Sequence, residues 1–277
     1  MKSFLFVLLF VFFIGSSAGQ SVTGKIVDAI TGEALAYVNI GVIGLPRGTT
    51  TDENGIFTLK TAELTDNTTV RISMIGYVAQ TFTIGELLGN NGKTIKLENT
   101  PVLLSEVVIK PGKLKTRQVG STKYLSNYSW AWGGIRGEGH ELGLKIELGE
   151  APVFVKSLHI CFQEQWVDSC LFRLHVRKIV NELPDCELLT QNIYIQTSKK
   201  AGWLEIDLSK YRLVFQGDIV LSLEWVADKG GNPDGKESVV LFKKSKNQGL
   251  YYTRMGSEAQ WTRKEESGPC FYLTVYN

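Results

Sequence analysis

Apolar and polar residues alternate in short segments over most of the chain, and residues that favour chain reversal separate these segments. A period of two predicts β-strands. Between residues 22 and 97 the pattern contains no convincing helical period, so this part is predicted to be all-β. The predicted strands are VTGKIVD (22–28), AYVNIGV (36–42), the two ends of the stretch 48–60, TVRISMI (69–75), QTFTI (80–84) and KTIKL (93–97).

The stretch GTTTDENGIFTLK (48–60) contains Asp52, Glu53 and Asn54 directly before a glycine, which suggests either a calcium loop or a tight turn. An EF-hand loop needs glycine at its sixth position, whereas counting from Asp52 the glycine is fourth. Asn-Gly between strands is a strong hairpin signal, and an aspartate can accept hydrogen bonds from nearby backbone amides. The sequence therefore predicts a hairpin turn at Asn54-Gly55 and no metal.

The alternation resumes after residue 126, and all six tryptophans lie in this part. A second hydrophobic core is therefore expected, in a sandwich of the jelly-roll or galactose-binding-like type. The predicted strands are ELGLKIEL (141–148), VFVKSLHICF (153–162), LFRLHVRKI (171–179), QNIYIQT (191–197), GWLEIDL (202–208), DIVLSLEWV (218–226), SVVLF (238–242), GLYYTRM (249–255) and CFYLTVY (270–276).

A basic stretch without acidic residues separates the two parts and is predicted to be a solvated linker rather than a binding site. The predicted organisation is therefore a signal peptide (1–18), a first β module (21–110), a linker (111–125) and a second β module (126–277). The basic residues are Lys110, Lys113, Lys115, Arg117 and Lys123.

The first residues have the three parts of a secretory signal peptide. Lys2 precedes the apolar run 4–14, and small residues follow, with the best cleavage position after Ala18. The run is shorter than the ~20 residues that span a bilayer, and no later segment approaches that length. We therefore expect a protein without an integral membrane segment after cleavage, located in the periplasm, at the outer membrane or outside the cell.

Charge is nearly balanced over the chain, with 30 Lys plus Arg against 28 Asp plus Glu. Such a balance produces no long-range field that would gather a polyanion. Nucleic acid is therefore not an expected partner.

No arrangement of residues predicts catalysis, a cofactor or a metal. His140-Glu141 begins like a zinc-protease motif, but the fifth position is Leu144 rather than histidine. Nucleophile-elbow motifs are lacking, and the glycine-rich stretch 133–143 leads into a strand rather than a phosphate-binding helix. The carboxylates, for example Glu138, Glu141, Glu164 and Asp168, form no convincing glycosidase pair.

His159 and His175 lie on neighbouring predicted strands, so alternation fixes their faces, and the two imidazoles could come near each other across the pair of strands. Apolar residues of 153–162 and 171–179 point to the core, and the histidines point away from it, towards solvent or a ligand. Adjacent arginines and the lack of further ligands disfavour zinc. The residues predicted to point away from the core are His159, Arg173, His175 and Arg177.

All four cysteines fall in the second module. Parity places Cys161 on an outward face and Cys170 on an inward face, which argues against a bridge between them. A Cys186–Cys270 disulfide stays open, and buried free thiols are the expectation because a domain of this size folds without bridges.

Aromatic residues are the remaining candidates for binding. Trp203 and Trp225 alternate with apolar neighbours and are predicted to be core residues. Others fall in or beside predicted loops, where a ring can stack on a sugar or a partner, although core packing remains the alternative. The candidate binding residues are Trp130, Trp132, Trp166, Tyr251, Tyr252 and Trp261.

Several motifs in order resemble the carboxypeptidase regulatory-like domain that is common in exported proteins of Bacteroidota. They are GKIVDAITGEAL (24–35), VNI (38–40), GTTTDENGIF (48–57) and ISMIGY (72–77). The resemblance implies a seven-stranded prealbumin-like β-sandwich that is not itself a peptidase.

This module often precedes the plug of TonB-dependent outer-membrane transporters, and LLSEVVIKPGK (103–113) is similar to that junction. The rest of the chain is too short for a plug and barrel, so we do not expect this polypeptide to be such a transporter, while partnership with one stays open. The second part resembles, less specifically, a jelly-roll-like region that accompanies the same module and implies no particular activity.

The residues and the resemblance together predict an exported, non-catalytic cell-envelope protein that binds a glycan or an outer-membrane protein partner through loops of the second module. Two alternatives remain: a structural accessory of a TonB-dependent uptake system, and a glycan- or peptide-active hydrolase. Two carboxylates meeting beside Trp130 or Trp261 would favour the hydrolase.

Overall fold

A computed structural model describes residues 21–89, 93–100, 115–134, 138–198, 200–230 and 238–276. The predicted signal peptide, residues 1–18, lies outside the described residues. Among the residues described, no helix has the length and apolarity needed to cross a membrane.

The first module is a sandwich of two small sheets, as the family resemblance implied. The strands are β1 (Ser21–Asp28), β2 (Asn39–Val42), β3 (Gly48–Thr50), β4 (Ile56–Lys60), β5 (Thr69–Ser73), β6 (Gln80–Thr83) and β7 (Thr94–Leu97), with a short helix α1 (Ile84–Gly89) after β6. One sheet has the order β4-β1-β7 and the other β3-β2-β5-β6. Every second residue of β4 is buried, so alternation predicted its core face correctly.

The turn predicted at Asn54-Gly55 is confirmed, but it is not a hairpin. Asp52 Oδ1 accepts hydrogen bonds from the backbone amides of Asn54 (2.9 Å) and Ile56 (2.8 Å), as expected for a turn aspartate. The turn connects β3 to β4, which belong to different sheets. An Asn-Gly pair therefore predicts that the chain reverses locally, but it does not specify which strands pair with each other.

The second module consists of two seven-stranded sheets packed face to face. The strands are β8 (Thr116–Gly120), β9 (Tyr124–Gly134), β10 (His140–Glu147), β11 (Val153–Gln165), β12 (Ser169–Val180), β13 (Leu183–Glu187), β14 (Tyr194–Gln196), β15 (Gly202–Asp207), β16 (Val214–Phe215), β17 (Asp218–Lys229), β18 (Ser238–Ser245), β19 (Gly249–Met255), β20 (Thr262–Glu266) and β21 (Phe271–Tyr276).

We call the two sheets of this module the near sheet and the far sheet, by their position relative to the first module. The near sheet has the order β13-β12-β17-β10-β19-β20, with β14 paired to β12. The far sheet has the order β8-β21-β11-β18-β9, with β15 and β16 paired to β11. The whole described chain is thus nearly all-β, as predicted.

Five strands of this module were not predicted: β8, β9, β13, β16 and β20. The predicted linker 111–125 contains β8, which pairs with β21 from Thr116 to Gly120. The second module therefore begins before residue 126. β8 is an edge strand of the far sheet, and its sequence is charged and only weakly apolar. It therefore gives little periodic signal.

The core of the second module lies between β11 and β12, which belong to opposite sheets. Phe162 on β11 stacks on Phe172 on β12, with ring centroids 6.4 Å apart. The expectation that β11 and β12 pair side by side was wrong. His159 and His175 consequently lie on opposite outer faces of the sandwich and not next to each other, because the chain crosses between sheets after Gln165.

The four cysteines are free. Cys161, Cys170 and Cys270 are buried, in agreement with the expected buried thiols, whereas Cys186 is exposed on β13. The Cys186–Cys270 bridge does not form because β13 belongs to the near sheet and Cys270 precedes β21 of the far sheet.

The first module packs on the outer face of the near sheet. Gly44 N donates to the carbonyl of Glu258 (2.9 Å), and Asn192 Nδ2 donates to the carbonyl of Ile75 (3.0 Å). A Cβ at Gly41 would lie only 2.5 Å from Ser257 Oγ, because the side chains of Ser257 and Glu258 pack directly against this glycine. This packing encloses the charged residues of the near sheet.

Candidate functional site

A cavity of about 780 Å³ lies between the two modules, and we call it the intermodule cleft. Its wall on the first module includes Arg71 of β5 and the segment 73–77, which begins at the last residue of β5. Its wall on the second module includes His175 and Arg177 of β12 and Trp261, which directly precedes β20. The sequence does not predict such a cavity because its two walls are about a hundred residues apart in the chain.

A buried group of paired charges lies beneath the cleft, and we call it the charge cluster. Its members are Glu141, Arg173, His175, Arg177, Glu187, Glu224 and Arg254. Glu141 of β10 is the centre of one half of this cluster. Its side chain is 0% exposed, and its carboxylate accepts hydrogen bonds from Arg177, Ser222 and Arg254, the last at 2.7 Å. Burial alone would raise the pKa of Glu141, but Arg177 and Arg254 outweigh burial and hold the pKa well below its usual value. Glu141 is therefore ionised and saturated with donors.

Glu224 of β17 is the centre of the other half. Arg173 Nη1 lies 3.2 Å and His175 Nε2 lies 2.7 Å from Glu224 Oε2, and the Arg173 and Glu224 side chains are both 0% exposed. Burial opposes ionisation, but Arg173 and the hydrogen bond from His175 lower the pKa of Glu224 to about 2.

His175 lies between two carboxylates. Its Nδ1 is 2.5 Å from Glu187 Oε2, and its Nε2 is 2.7 Å from Glu224 Oε2. Donation to both acids requires a proton on each ring nitrogen, so this arrangement favours the imidazolium form. Burial and the nearby Arg177, whose Nη2 lies 2.9 Å from Nδ1, oppose the charge. The charges of Glu141 and Glu187, together with the hydrogen bond to Glu187, outweigh them and raise the pKa of His175.

Trp261 connects the charge cluster to the open part of the cleft. The guanidinium carbons of Arg254 and Arg177 lie 4.6 and 5.6 Å from its ring centroid, within the range of cation–π contact. Tyr252 meets the same ring edge-on at 6.5 Å. The indole is therefore held in one orientation by groups on two strands.

Two buried polar atoms lining the cleft lack a protein partner among the described residues: Asn39 Oδ1 and Arg173 Nε. Asn39 is 5% exposed and Arg173 is 0% exposed. Buried polar atoms are nearly always hydrogen-bonded, so these two have capacity for a solvent or ligand atom in the cleft.

The candidate binding residues do not form one group. Trp261 lines the cleft, whereas Trp166 is 55% exposed directly after β11 and away from it. Tyr251 and Tyr252 are each 1% exposed within β19, so their expected placement in or beside a loop was wrong. The side chains of Trp130 and Trp132 lie outside the described residues.

The two tryptophans that were assigned to the core differ. Trp225 is 1% exposed and belongs to the core, as predicted. Trp203 is 40% exposed, and that prediction was wrong. Leu204 and Ile206 of β15 pack against the core, so alternation directs Trp203 to the opposite face.

Sequence reasoning identified part of the cleft residues without their role. Arg173, His175 and Arg177 do point away from the core of the second module, as predicted, but they are 0%, 4% and 7% exposed because other parts of the protein cover them. Glu141 and Glu224, two charged residues in otherwise apolar strands, were the available signal for a covered face.

No group of three or more histidine, cysteine or acidic residues within the described ranges has an arrangement suited to a metal ion. The acids of the cleft are instead bonded to arginine and histidine. Positive charges at these positions compete with a cation for the carboxylate oxygens.

The fold and the cleft define a protein of two β-sandwich modules with a charged, partly enclosed space between them. Residues 22–109 match the family model of the CarboxypepD_reg-like domain, so the first module is a domain of that kind. This agrees closely with the predicted boundaries 21–110. The comparison with curated proteins found no match.

Solved structures show only distant likeness. The cysteine protease and lectin-like domains of Cwp84, a surface layer associated protein of Clostridium difficile, match with 11% identity over 53% of this chain and 36% of that chain, at a TM-score of 0.34. Infectious bursal disease virus Gt strain matches with 10% identity over 92% of this chain and 62% of that chain, at a TM-score of 0.32. At such scores these likenesses say nothing about function.

Proposed function

We propose that the chain is an exported, non-catalytic cell-envelope protein that binds a glycan or a protein partner, and that binding occurs in the intermodule cleft. The observation that carries the proposal is the cleft itself, an open space of about 780 Å³ whose wall combines Trp261 with Arg71 and Arg254. Tryptophan and arginine are the residue types that most often dominate recognition surfaces.

A glycan- or peptide-active hydrolase is the competing function, because carboxylates do meet beside Trp261. A glycosidase needs one carboxylic acid that is held protonated. Glu141, Glu187 and Glu224 all have lowered pKa values, and each receives hydrogen bonds from positive groups. The charge cluster therefore supports binding over acid catalysis.

His175 supports the same conclusion. A general base needs a free lone pair, and both nitrogens of this ring are within hydrogen-bond distance of glutamate oxygens. In this arrangement His175 holds Glu187 and Glu224 in place and accepts no proton from a substrate.

Binding is tested with the chain from residue 19 to 277, on a glycan array and on a peptide array that represents outer-membrane proteins. Trp261→Ala and Arg71→Ala are expected to weaken binding by about tenfold or more, since central aromatic and arginine contacts dominate affinity. Trp166→Ala removes an indole outside the cleft and should leave binding unchanged.

If all three variants bind with the affinity of the unaltered protein, the cleft is not the binding site. Release of shortened glycan or peptide from a bound probe would establish the hydrolase instead. Export is tested separately by mass spectrometry of the chain produced in a Gram-negative host. The expected mature protein begins after Ala18. Co-purification with an outer-membrane transporter would favour the accessory role.

A further inference from the structure

A row of aromatic side chains crosses the outer face of the far sheet, on the side of the second module opposite the cleft. Its members, which we call the far-sheet row, are Tyr124, Trp203, Tyr272 and His159. Neighbouring ring centroids are 6.3 Å apart for Tyr124 and Trp203, 5.0 Å for Trp203 and Tyr272, and 4.3 Å for Tyr272 and His159. The rings come from four different strands, so the row exists only in the folded sheet.

Solvent reaches one end of this row, at Tyr124 and the neighbouring Trp203. Trp203 is 40% and Tyr124 is 43% exposed. Alternation places both Trp203 and Tyr272 opposite the core-facing residues of their strands, such as Leu204 and Leu273. Exposed aromatics placed side by side on a sheet are costly to leave in water, and such patches commonly mark interaction sites.

Hydrogen bonds and ring stacking hold the His159 end of the row in position. His159 Nε2 is hydrogen-bonded to Ser157 Oγ (2.9 Å) and to Thr274 Oγ1 (3.0 Å), and its ring stacks on Tyr272 with an interplanar angle of 6°. Tyr272 is thus supported by a ring that is itself held by two hydroxyls. A surface that is already ordered loses less conformational entropy when it binds.

Charges of both signs lie beside the row. Lys243 Nζ lies 5.6 Å from the Tyr124 ring centroid at one end, and Glu205 Oε1 lies 3.8 Å from His159 Nε2 at the other, where the charge of Lys156 also acts on His159. The carboxylate among these lysines disfavours a polyanion or an anionic lipid. Hydrogen-bonding groups at the ring edges suit a hydroxyl-rich ligand. They include Gln118 Nε2 and the hydroxyl oxygen of Tyr272, which are 3.4 Å apart.

We propose that the far-sheet row is a binding face for a neutral polysaccharide, whose sugar rings stack on Trp203 and Tyr272 while their hydroxyls bond to the flanking polar groups. Pyranose rings present apolar C–H faces with hydroxyls at the rim, which matches aromatic faces edged by polar side chains. The inference deepens the proposed binding function by naming a ligand class. Because the row and the cleft lie on opposite sides of the module, either site can fail independently.

The test uses affinity gel electrophoresis of residues 19–277 with soluble glucan, xylan and mannan, together with sedimentation on insoluble cellulose. At least one of these neutral polysaccharides is expected to bind. Trp203→Ala and Tyr272→Ala should each weaken that binding by about tenfold or more, whereas Trp203→Phe should retain part of it. Thermal unfolding of each variant verifies that it is folded.

Two control variants separate this site from others. Trp166→Ala removes an exposed indole that directly follows β11 and is not part of the row, and Trp261→Ala removes the indole of the cleft; both variants should bind the polysaccharide normally. The inference is overturned by full binding of folded Trp203→Ala, by the absence of binding to every neutral polysaccharide, or by binding that is confined to an acidic polymer such as alginate. Loss in Trp261→Ala alone would assign glycan binding to the cleft.

Discussion

Arg173 of the second module donates a hydrogen bond from Nη2 to the backbone carbonyl of Tyr37 in the first module. The same guanidinium group pairs with Glu224 through Nη1 and lies 5.5 Å from the ring centroid of Tyr194. One fully buried side chain thereby connects the intermodule contact to the charge cluster. The packing of the two modules and the integrity of the cleft are consequently coupled.

Arg173→Met is expected to lower the free energy of unfolding by about 3–5 kcal/mol, because it leaves the buried carboxylate of Glu224 without its arginine. It should also separate the unfolding transitions of the two modules, as seen by denaturant titration with fluorescence and circular dichroism. Arg263→Met is the matched control, since Arg263 is 35% exposed and contacts its glutamates only at 3.9–4.0 Å. A change below about 1 kcal/mol for Arg173→Met would contradict the coupling.

Stability should decline towards both acid and alkaline pH. The folded-state pKa of Glu224 is lowered to about 2, so its contribution is present above its unfolded value of ~4.3 and is lost as pH falls through about 2. The folded-state pKa of His175 is raised, so its contribution is full below ~6.5 and is lost as pH rises through the folded value.

Denaturant titrations between about pH 2 and 9 measure the acid and the alkaline decline. His175→Gln should remove the alkaline decline and keep the acid one. His140 and His159 act in the opposite sense, because burial lowers their pKa values and their contributions are lost on acidification. An alkaline decline that persists unchanged in His175→Gln would show that another group is responsible.

Gly55→Ala is expected to destabilise the first module by more than about 1 kcal/mol. Gly55 has φ of +73°, and an added Cβ would lie 2.5 Å from the carbonyl oxygen of Ile26. Gly32 also has a positive φ (+72°) but meets no atom within 4 Å, so Gly32→Ala measures the backbone strain alone. Thermal unfolding of the two variants compares them, and equal losses would show that the contact with Ile26 is unimportant.

Cys186 should be the thiol that reacts first with a maleimide in the native protein, because it is exposed whereas the other three are buried. Burial also raises the pKa of Cys161 to about 11 and that of Cys270 to about 12, which suppresses their thiolates. Mass spectrometry should find one label in the native state and four after unfolding. Cys186→Ser should abolish native labelling, and a label on Cys161 or Cys270 would contradict the described burial.

Much of the fold followed from local pattern. All nine strands predicted for the second module are present, and the inward faces of β11 and β12 were correctly assigned, because alternation within a strand depends only on adjacent residues. The first module was identified by several motifs in order that resemble the carboxypeptidase regulatory-like domain. Weakly apolar edge strands such as β8 and β20 gave too little contrast to be found.

The candidate site required the tertiary structure. Alternation showed that Arg173, His175 and Arg177 point away from one core, but the same pattern fits a face in water and a face covered by another module. The covering residues, such as Tyr37, are more than a hundred positions away in the chain, so no local pattern contains them. Long-range packing likewise brings Trp203 and Tyr272 together and assigns β11 and β12 to opposite sheets. Local sequence determined which side each residue faces, and only the assembly of sheets and modules decided what lies on that side.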